Sequence, residues 1–280
     1  MRERFSVVSL ANSVFHIGHS DDVQESVTIT SLMAEKWRPY LCKVNGKLAS
    51  ILVDLELINS PPVSSKPWLL WVWVYLRTPR RDGLSDGHEA PTLYKIEDAL
   101  NACLAQEFAA IPCGRITTEG RREFYFYGEK NGGLESAVRK VIGTFEGYRC
   151  DVGEESDPSW NQYRSVLFPS DEDLQRIGNM DVLDALEKEG DFHSVPREVR
   201  HWVFFNSESS RSSFRSAALE EGFIILSEYE CDPAPRFGIE LTRTQSVEQA
   251  AIDATAIQLL HLSQSFGGEY DGWETQAITQ

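Results

Sequence analysis

The side chains that could do chemistry in this sequence are scattered, and they complete no catalytic motif. There is no G-x-S-x-G, no G-x-x-x-x-G-K-[ST], no G-x-G-x-x-G after a strand and no H-E-x-x-H. A group of residues whose types suit a metal ion, His16, His19, Asp21 and Asp22, lies in a predicted polar tail, and we do not predict a metal site there. His201 stands in a predicted strand without a partner in sequence, which favours packing over a role as general base. We therefore predict no catalysis, no metal and no cofactor.

Two predicted strands carry aromatic side chains that could stack on RNA bases if they lay on the open face of a sheet. Arginines stand at the hairpin ends beside them. The candidates for RNA binding are Trp71, Trp73, Phe124, Phe126, Arg121 and Arg122. Lys plus Arg number 27 against 43 Asp plus Glu, so the net charge is −16. That sign opposes phosphate neutralisation, and RNA binding is therefore the alternative function.

The acidic residues give a stronger indication of a partner. Residues 195–280 hold six arginines, no lysine and thirteen acids, which gives a net charge of −7. An acidic surface steers basic partners and rejects acidic ones. The candidate partner-binding residues are Tyr270, Asp271, Trp273, Glu274, Glu228, Glu230 and Asp232. Two roles stay open for Trp273: an anchor for an arginine-rich peptide, or a packing residue that holds the last strand to the core.

The elements that must position these residues follow from hydrophobic spacing and turn chemistry. Asn45-Gly46 predicts a hairpin, and the apolar run from Trp68 to Leu76 predicts a buried strand. The predicted segments after the hairpin are strand 68–76, helix 92–107, strands 113–118 and 122–127, helix 134–145 and strand 148–152. This β-α-β-β-α-β order is that of a ferredoxin-like split βαβ unit.

The same order returns after a connector helix that starts at Ser170. Its predicted segments are strand 199–205, helix 208–221, strands 223–229 and 237–242, helix 246–266 and strand 270–278. The predicted fold class is α+β, with two ferredoxin-like (βαββαβ) antiparallel-sheet domains joined by a helical connector. We predict a disordered tail over 1–34, domains over 35–168 and 195–280, and the connector over 169–194. Met33 just before the first domain is expected to be the natural start, in place of Met1.

The cysteines and the apolar runs indicate where the protein acts. The five cysteines form no C-x-x-C and are odd in number, which is typical of free thiols in a reducing cytoplasm. The longest apolar run, Trp68 to Leu76, has nine residues. That is about half of what a membrane-spanning helix needs, so no membrane partner is predicted.

The C-terminal segment Tyr270-Asp271-Gly272-Trp273, after a long helix and a Gly pair, resembles the RraB family of regulators of ribonuclease E activity. The strand at His201–Phe205 and the helix from Ser246 fit the same pattern, so the resemblance covers about 195–280. It implies a ferredoxin-like fold and inhibition by binding, in which an acidic protein contacts the nuclease's non-catalytic RNA-binding region. The implied partner is ribonuclease E or another arginine-rich RNA-processing protein.

Residues 37 to about 190 resemble a bacterial domain-of-unknown-function family that is found ahead of RraB-like domains. The segments that carry this resemblance are Trp68–Val72, Gly114–Thr118, Arg121–Tyr127, Asp157-Pro158, Phe168–Ser170 and Val182–Glu187. The resemblance implies no activity for this half of the chain.

Overall fold

A computed structural model describes residues 7–9, 37–59, 63–231 and 236–279. The chain divides into two compact units, of which the first is Glu35–Asp173. The second begins at Leu174 and includes a short strand near the N-terminus, β1 (Val7–Ser9). Residues 10–34 of the predicted tail, and Met33 with them, lie outside the described residues.

The first unit is a six-stranded antiparallel sheet with two helices. Its elements are β2 (Trp37–Val44), β3 (Lys47–Asp54), β4 (Trp68–Tyr75), α1 (Ala90–Phe108), β5 (Ile111–Thr118), β6 (Arg121–Gly128), α2 (Leu134–Ile142) and β7 (Arg149–Ser156). The strand order is β2-β3-β5-β6-β4-β7. Strands β4 to β7 thus have the order of a split βαβ unit, and the β2–β3 hairpin extends the sheet next to β5. The predicted α+β class is confirmed for this half.

Local sequence explains why these elements form. Asn45 and Gly46 both have positive φ, 51° and 76°, as a two-residue hairpin of type I′ needs. Helix α1 buries one apolar stripe at helical spacing. The stripe consists of Leu93, Ile96, Leu100, Leu104 and Phe108. It packs on the face of the sheet that carries Leu70, Val72 and Val74, where the core of the unit lies.

The segment after β7 covers part of the other face of the sheet. The Trp160 ring stacks on Tyr127, with centroids 4.3 Å apart and planes inclined by 7°. One turn of π-helix follows at Tyr163–Leu167, and the Tyr163 hydroxyl donates to the Asp54 carbonyl at 2.7 Å. Hydrophobic spacing did not predict this segment, because its packing against Tyr127 and its hydrogen bond to Asp54 join residues that are distant in sequence.

Asp157 holds this segment in place. Its carboxylate accepts hydrogen bonds from the Tyr127 hydroxyl at 2.6 Å and from the backbone N–H groups of Asn161 at 2.8 Å and Gln162 at 3.0 Å. Burial opposes ionisation, but these hydrogen bonds outweigh it and lower the pKa of Asp157. The carboxylate therefore stabilises the fold above its ordinary pKa, and this contribution is lost as pH falls through the lowered pKa.

Replacing Asp157 by asparagine should lower the free energy of unfolding of the first unit by about 2 kcal/mol, because an amide leaves a buried donor unpaired. Hydrogen exchange of β6 and of residues 160–167 measures this. The matched control is Asp151→Asn, which removes the charge from the acceptor of an exposed 2.6 Å hydrogen bond donated by the Tyr75 hydroxyl and should cost less than about 0.5 kcal/mol. Equal losses in the two variants would contradict the role given to Asp157.

The second unit repeats the arrangement with five strands. Its elements are α3 (Asp171–Lys188), which starts in the first unit, β8 (Arg197–Phe205), α4 (Glu208–Glu220), β9 (Ile224–Cys231), β10 (Arg236–Gln245), α5 (Gln249–Ser265) and β11 (Gly268–Gln276). The order β1-β11-β8-β10-β9 is antiparallel throughout. The sequence expectation of a second α+β unit with the split βαβ order is confirmed.

Two local expectations have definite outcomes. Ser170 caps α3 as predicted, since its hydroxyl accepts from the Asp173 backbone N–H at 3.2 Å. Within the predicted tail, Val7–Ser9 form β1 and pair with Glu274–Gln276 of β11. Among the described residues, no helix is long and apolar enough to cross a membrane.

Candidate partner-binding face

The six residues predicted for RNA binding do not share one surface. Cross-strand register pairs Val72 with Phe124 and Trp71 with Tyr125, so Phe124 points to the helices and Trp71 to the other face. Phe124 and Phe126 are buried in the helix-side core. The alternation of side chains along β4 and β6 thus separates Phe124 and Phe126 from Trp71 and Trp73. The structure therefore does not bring these four aromatic side chains together on one face of the sheet.

The two arginines of that set are also engaged within the fold. Arg122 is buried, and burial followed by the nearby Arg115 charge lowers the pKa of Arg122 to about 10. Arg121 lies 4.6 Å above the Trp73 ring and pairs with Glu123 at 2.5 Å. Trp71 and Trp73 do share a face, with centroids 4.6 Å apart. Carboxylates balance the positive charge there, so this surface lacks the net cation excess that RNA binding requires.

Three of the predicted partner-binding residues lie in the interior of the second unit. Tyr270, Asp271 and Trp273 are 4%, 4% and 0% exposed. The Trp273 indole N–H donates to the Asn179 Oδ1 at 2.8 Å, and the Tyr270 hydroxyl is 2.8 Å from the His201 Nδ1. Of the two roles that the sequence left open for Trp273, the structure shows packing. None of these three side chains is available as a partner anchor.

The acids predicted on β9 lie at the edge of the sheet. Glu228 is exposed and already pairs with Arg211 at 3.0 Å and Arg215 at 3.1 Å, both on α4. Glu230 is exposed on the same strand. Asp232 lies outside the described residues. Glu228 is therefore committed to the fold, and the structure does not bring it together with Glu274.

Glu274 lies instead on the face of the second sheet that is turned away from the helices. The register pairs Glu274 with Arg200, and Trp202 with Glu240. Side chains two residues apart on a strand share a face, so Phe204 follows Trp202. We call this surface the acidic-aromatic face; it consists of Glu198, Arg200, Trp202, Phe204, Tyr229, Glu240, Glu269 and Glu274.

The centre of this face has more negative than positive charge. Arg200 pairs with Glu198 at 2.7 Å and lies 3.6 Å from Glu240. Burial raises the pKa of Glu274, the charge of Glu240 raises it further, and Arg200 lowers it in part. Among the described residues, three carboxylates thus share one guanidinium. A cation from outside would relieve that imbalance.

Sequence reasoning missed Trp202, Arg200 and Glu240 as members of a site. The alternation of Arg200, Trp202 and Phe204 with the apolar Val199 and Val203 along β8 was a usable signal. It indicates one face in the core and one outside. The partner strands and their register could not be read from β8 alone.

The fold is that of a protein of two α+β units, one of which presents an acidic, aromatic face on the open side of its sheet. Residues 35–168 match the model of a Family of unknown function (DUF695), and residues 176–275 match that of Regulator of ribonuclease activity B (RraB). The order predicted from the sequence is confirmed. The second match supports an RraB-like regulatory role that works through protein contact.

Comparison with curated proteins and solved structures does not assign this chain a function. No curated protein matches the chain. A solved protein of unknown function from Galdieria sulphuraria is 12% identical, with a TM-score of 0.21 over 75% of this chain and 99% of that one. A putative glycine cleavage system transcriptional repressor is 9% identical, with a TM-score of 0.23 over 76% of this chain and 98% of that one. Likeness at this level says nothing about what the chain does.

Proposed function

We propose that this protein is a non-catalytic regulator that binds a basic segment of an RNA-processing protein, ribonuclease E in the first instance, through the acidic-aromatic face. The observation that carries the proposal is the cluster of Glu198, Glu240 and Glu274 around Arg200. A basic peptide would supply the missing positive charge.

The distribution of charge along the chain supports this assignment. Residues 169–280 hold eight basic and 21 acidic residues, a net charge of −13. Residues 35–168 hold 17 basic and 18 acidic residues, a net charge of −1. The acidity therefore belongs to the part of the chain that matches RraB, and it would steer a basic partner towards that part.

The regulation follows from competition. An arginine-rich segment that is neutralised by Glu240 and Glu274 no longer holds RNA phosphates, so the partner's choice of transcripts changes without any bond being made or broken here. His201, the histidine of β8, is fully buried and cannot reach a substrate. The five free cysteines fit a reducing compartment, and we assign this action to the cytoplasm.

The test uses the full chain and a fluorescent peptide from the arginine-rich non-catalytic region of ribonuclease E. Replacing Glu240 and Glu274 by glutamine should weaken binding by about tenfold at 0.1 M salt, because two carboxylates next to the bound cations are lost. The glutamine at position 240 keeps an acceptor for the Ser227 hydroxyl, which donates to Glu240 at 2.9 Å.

The matched control removes two carboxylates from α4, on the helix side of the same sheet. Glu208→Gln with Glu220→Gln should change the affinity by less than about threefold, since only long-range, salt-screened attraction is lost. Equal weakening by both pairs would show attraction without a defined face and would refute the site. Absence of binding by the unaltered chain at 50 μM or so, a weak-complex limit, would refute the function.

A further inference from the structure

Besides Arg200, a second arginine of the chain, Arg236, lies on the acidic-aromatic face. The Arg236 guanidinium carbon lies 4.7 Å from the centre of the Phe204 ring, and Nη2 is 2.5 Å from the Glu269 carboxylate. The ring supplies a stacking surface, and the carboxylate supplies a charged acceptor on the neighbouring strand β11. This chain therefore shows how its face binds a guanidinium: one ring below and one carboxylate beside it.

A second position of the same kind lies two residues away on β8. Trp202 shares the face with Phe204, about 7 Å along the strand. Glu240 lies directly opposite Trp202 on β10. On β11 Gly272 lies opposite Trp202, and Glu274 lies two residues further along, opposite Arg200. Trp202 is partly exposed, whereas Phe204 is covered. Within the described residues, Arg200 is the cation that reaches these acids, and its short contact is with Glu198 at 2.7 Å.

The chemistry of the two positions distinguishes arginine from lysine. A guanidinium is planar, stacks on an aromatic ring and directs several N–H groups sideways to carboxylates. An ammonium is a compact point charge that does not stack and keeps its water more strongly. A face of carboxylates alone would accept both cations, whereas a face of rings flanked by carboxylates favours arginine.

Resting on the function proposed above, we infer that the acidic-aromatic face selects arginine over lysine in its partner. The Trp202 position receives a partner arginine directly. The Phe204 position is occupied by Arg236, which a second partner arginine displaces. Arg236 thus acts as an internal competitor that limits the affinity of the free protein.

The test compares two peptides of equal length and charge, (Gly-Arg)6 and (Gly-Lys)6, by fluorescence anisotropy with the full chain at 0.1 M salt. We expect the arginine peptide to bind about tenfold more tightly, as the loss of stacking and of bidentate hydrogen bonds would predict. Trp202→Leu should remove most of that preference. Arg236→Gln should tighten binding of the arginine peptide by about fivefold, because a second ring and carboxylate become free.

Arg215→Gln is the matched control for Arg236→Gln, since it removes one equally charged arginine from α4. It should tighten binding of both peptides alike, and by less than about twofold. If both peptides bind equally well to the unaltered chain, the inference fails and the proposed function stands. If neither peptide binds, the proposed function fails too. If Arg236→Gln and Arg215→Gln act alike, Arg236 is no competitor.

Discussion

Replacing Trp273 by alanine should lower the free energy of unfolding of the second unit by about 3–5 kcal/mol, the usual cost of truncating a buried large aromatic side chain. Trp273 is 0% exposed. It packs among apolar side chains from α3, β8, α5 and the turn that precedes α5. These are Val182, Leu183, Leu186, Val199, Val247 and Ile252. The indole therefore joins α3 to the sheet, and alanine would leave a cavity between them.

The hydrogen bond of Trp273 adds less than its packing. Asn179 Oδ1 accepts from the indole N–H at 2.8 Å and also from Gln175 Nε2 at 2.8 Å. The Asn179 amide donates to Asp253 at 2.7 Å. Asn179 Oδ1 thus keeps a donor when Trp273 is lost. Trp273→Phe should consequently recover more than half of the stability that Trp273→Ala removes, since the ring volume returns and the hydrogen bond does not.

Hydrogen exchange of β8 and α5 measures the local free energy of opening and separates the second unit from the first. The control is Trp202→Ala, which truncates a tryptophan next to the cross-strand partner of Trp273 but on the open face. Trp202→Ala should cost less than about 1.5 kcal/mol, because the Trp202 side chain buries less apolar area on folding than the Trp273 side chain does. A Trp202→Ala loss as large as that of Trp273→Ala would show that Trp273 does not carry the contact between α3 and the sheet.

Local chemistry explains what the sequence could predict. The Asn45-Gly46 turn, the helical stripe of α1 and the continuous apolar run of β4 are each decided within a few residues of the chain. The element order then restricts the topology to few choices, of which the split βαβ sheet is the familiar one. The α+β class could for this reason be predicted in both halves.

The face of the sheet on which each aromatic side chain lies could not be predicted in the same way. On β6, Phe124, Tyr125, Phe126 and Tyr127 are all buried, so hydrophobicity has no period that marks the core side. The register with β4 decides it, and a slip by one residue would exchange the two faces. The sequence analysis therefore placed Phe124 and Trp71 in one RNA-binding surface, although their side chains lie on opposite faces of the sheet.

The last strand illustrates a second limit. Tyr270 and Trp273 are three residues apart, which in a regular strand places them on opposite faces. A register shift between Tyr270 and Gly272 inserts one extra residue, and both aromatic side chains then point into the core. Asp271 sits at this bulge and is buried. The resemblance at Tyr270–Trp273 thus marks a structural motif, whereas Glu274 follows it onto the acidic-aromatic face.

Acidification from pH 7 to pH 4.5 should destabilise the second unit by about 3 kcal/mol through His201 alone. Burial, and to a lesser degree the charge of Arg243, lowers the pKa of His201 from 6.5 to about 3. The folded unit keeps the imidazole neutral, whereas the unfolded chain binds a proton below about pH 6.5. Above pH 6.5 His201 therefore does not change the free energy of unfolding of the second unit. Below pH 6.5 this free energy falls by about 1.4 kcal/mol per pH unit until pH reaches about 3.

The variant that isolates this effect is His201→Phe with Tyr270→Phe. The Tyr270 hydroxyl and the His201 Nδ1 are 2.8 Å apart, and the His201 Nε2 is buried without a hydrogen-bond partner. Removing both polar partners together leaves no new unpaired group, so stability at pH 7 should stay within about 1.5 kcal/mol of the unaltered protein. Urea unfolding at both pH values, followed by hydrogen exchange in β8, should show the acid-induced loss reduced by about 3 kcal/mol. An unchanged loss would mean that His201 is protonated in the folded state, because other titrating groups are common to both proteins.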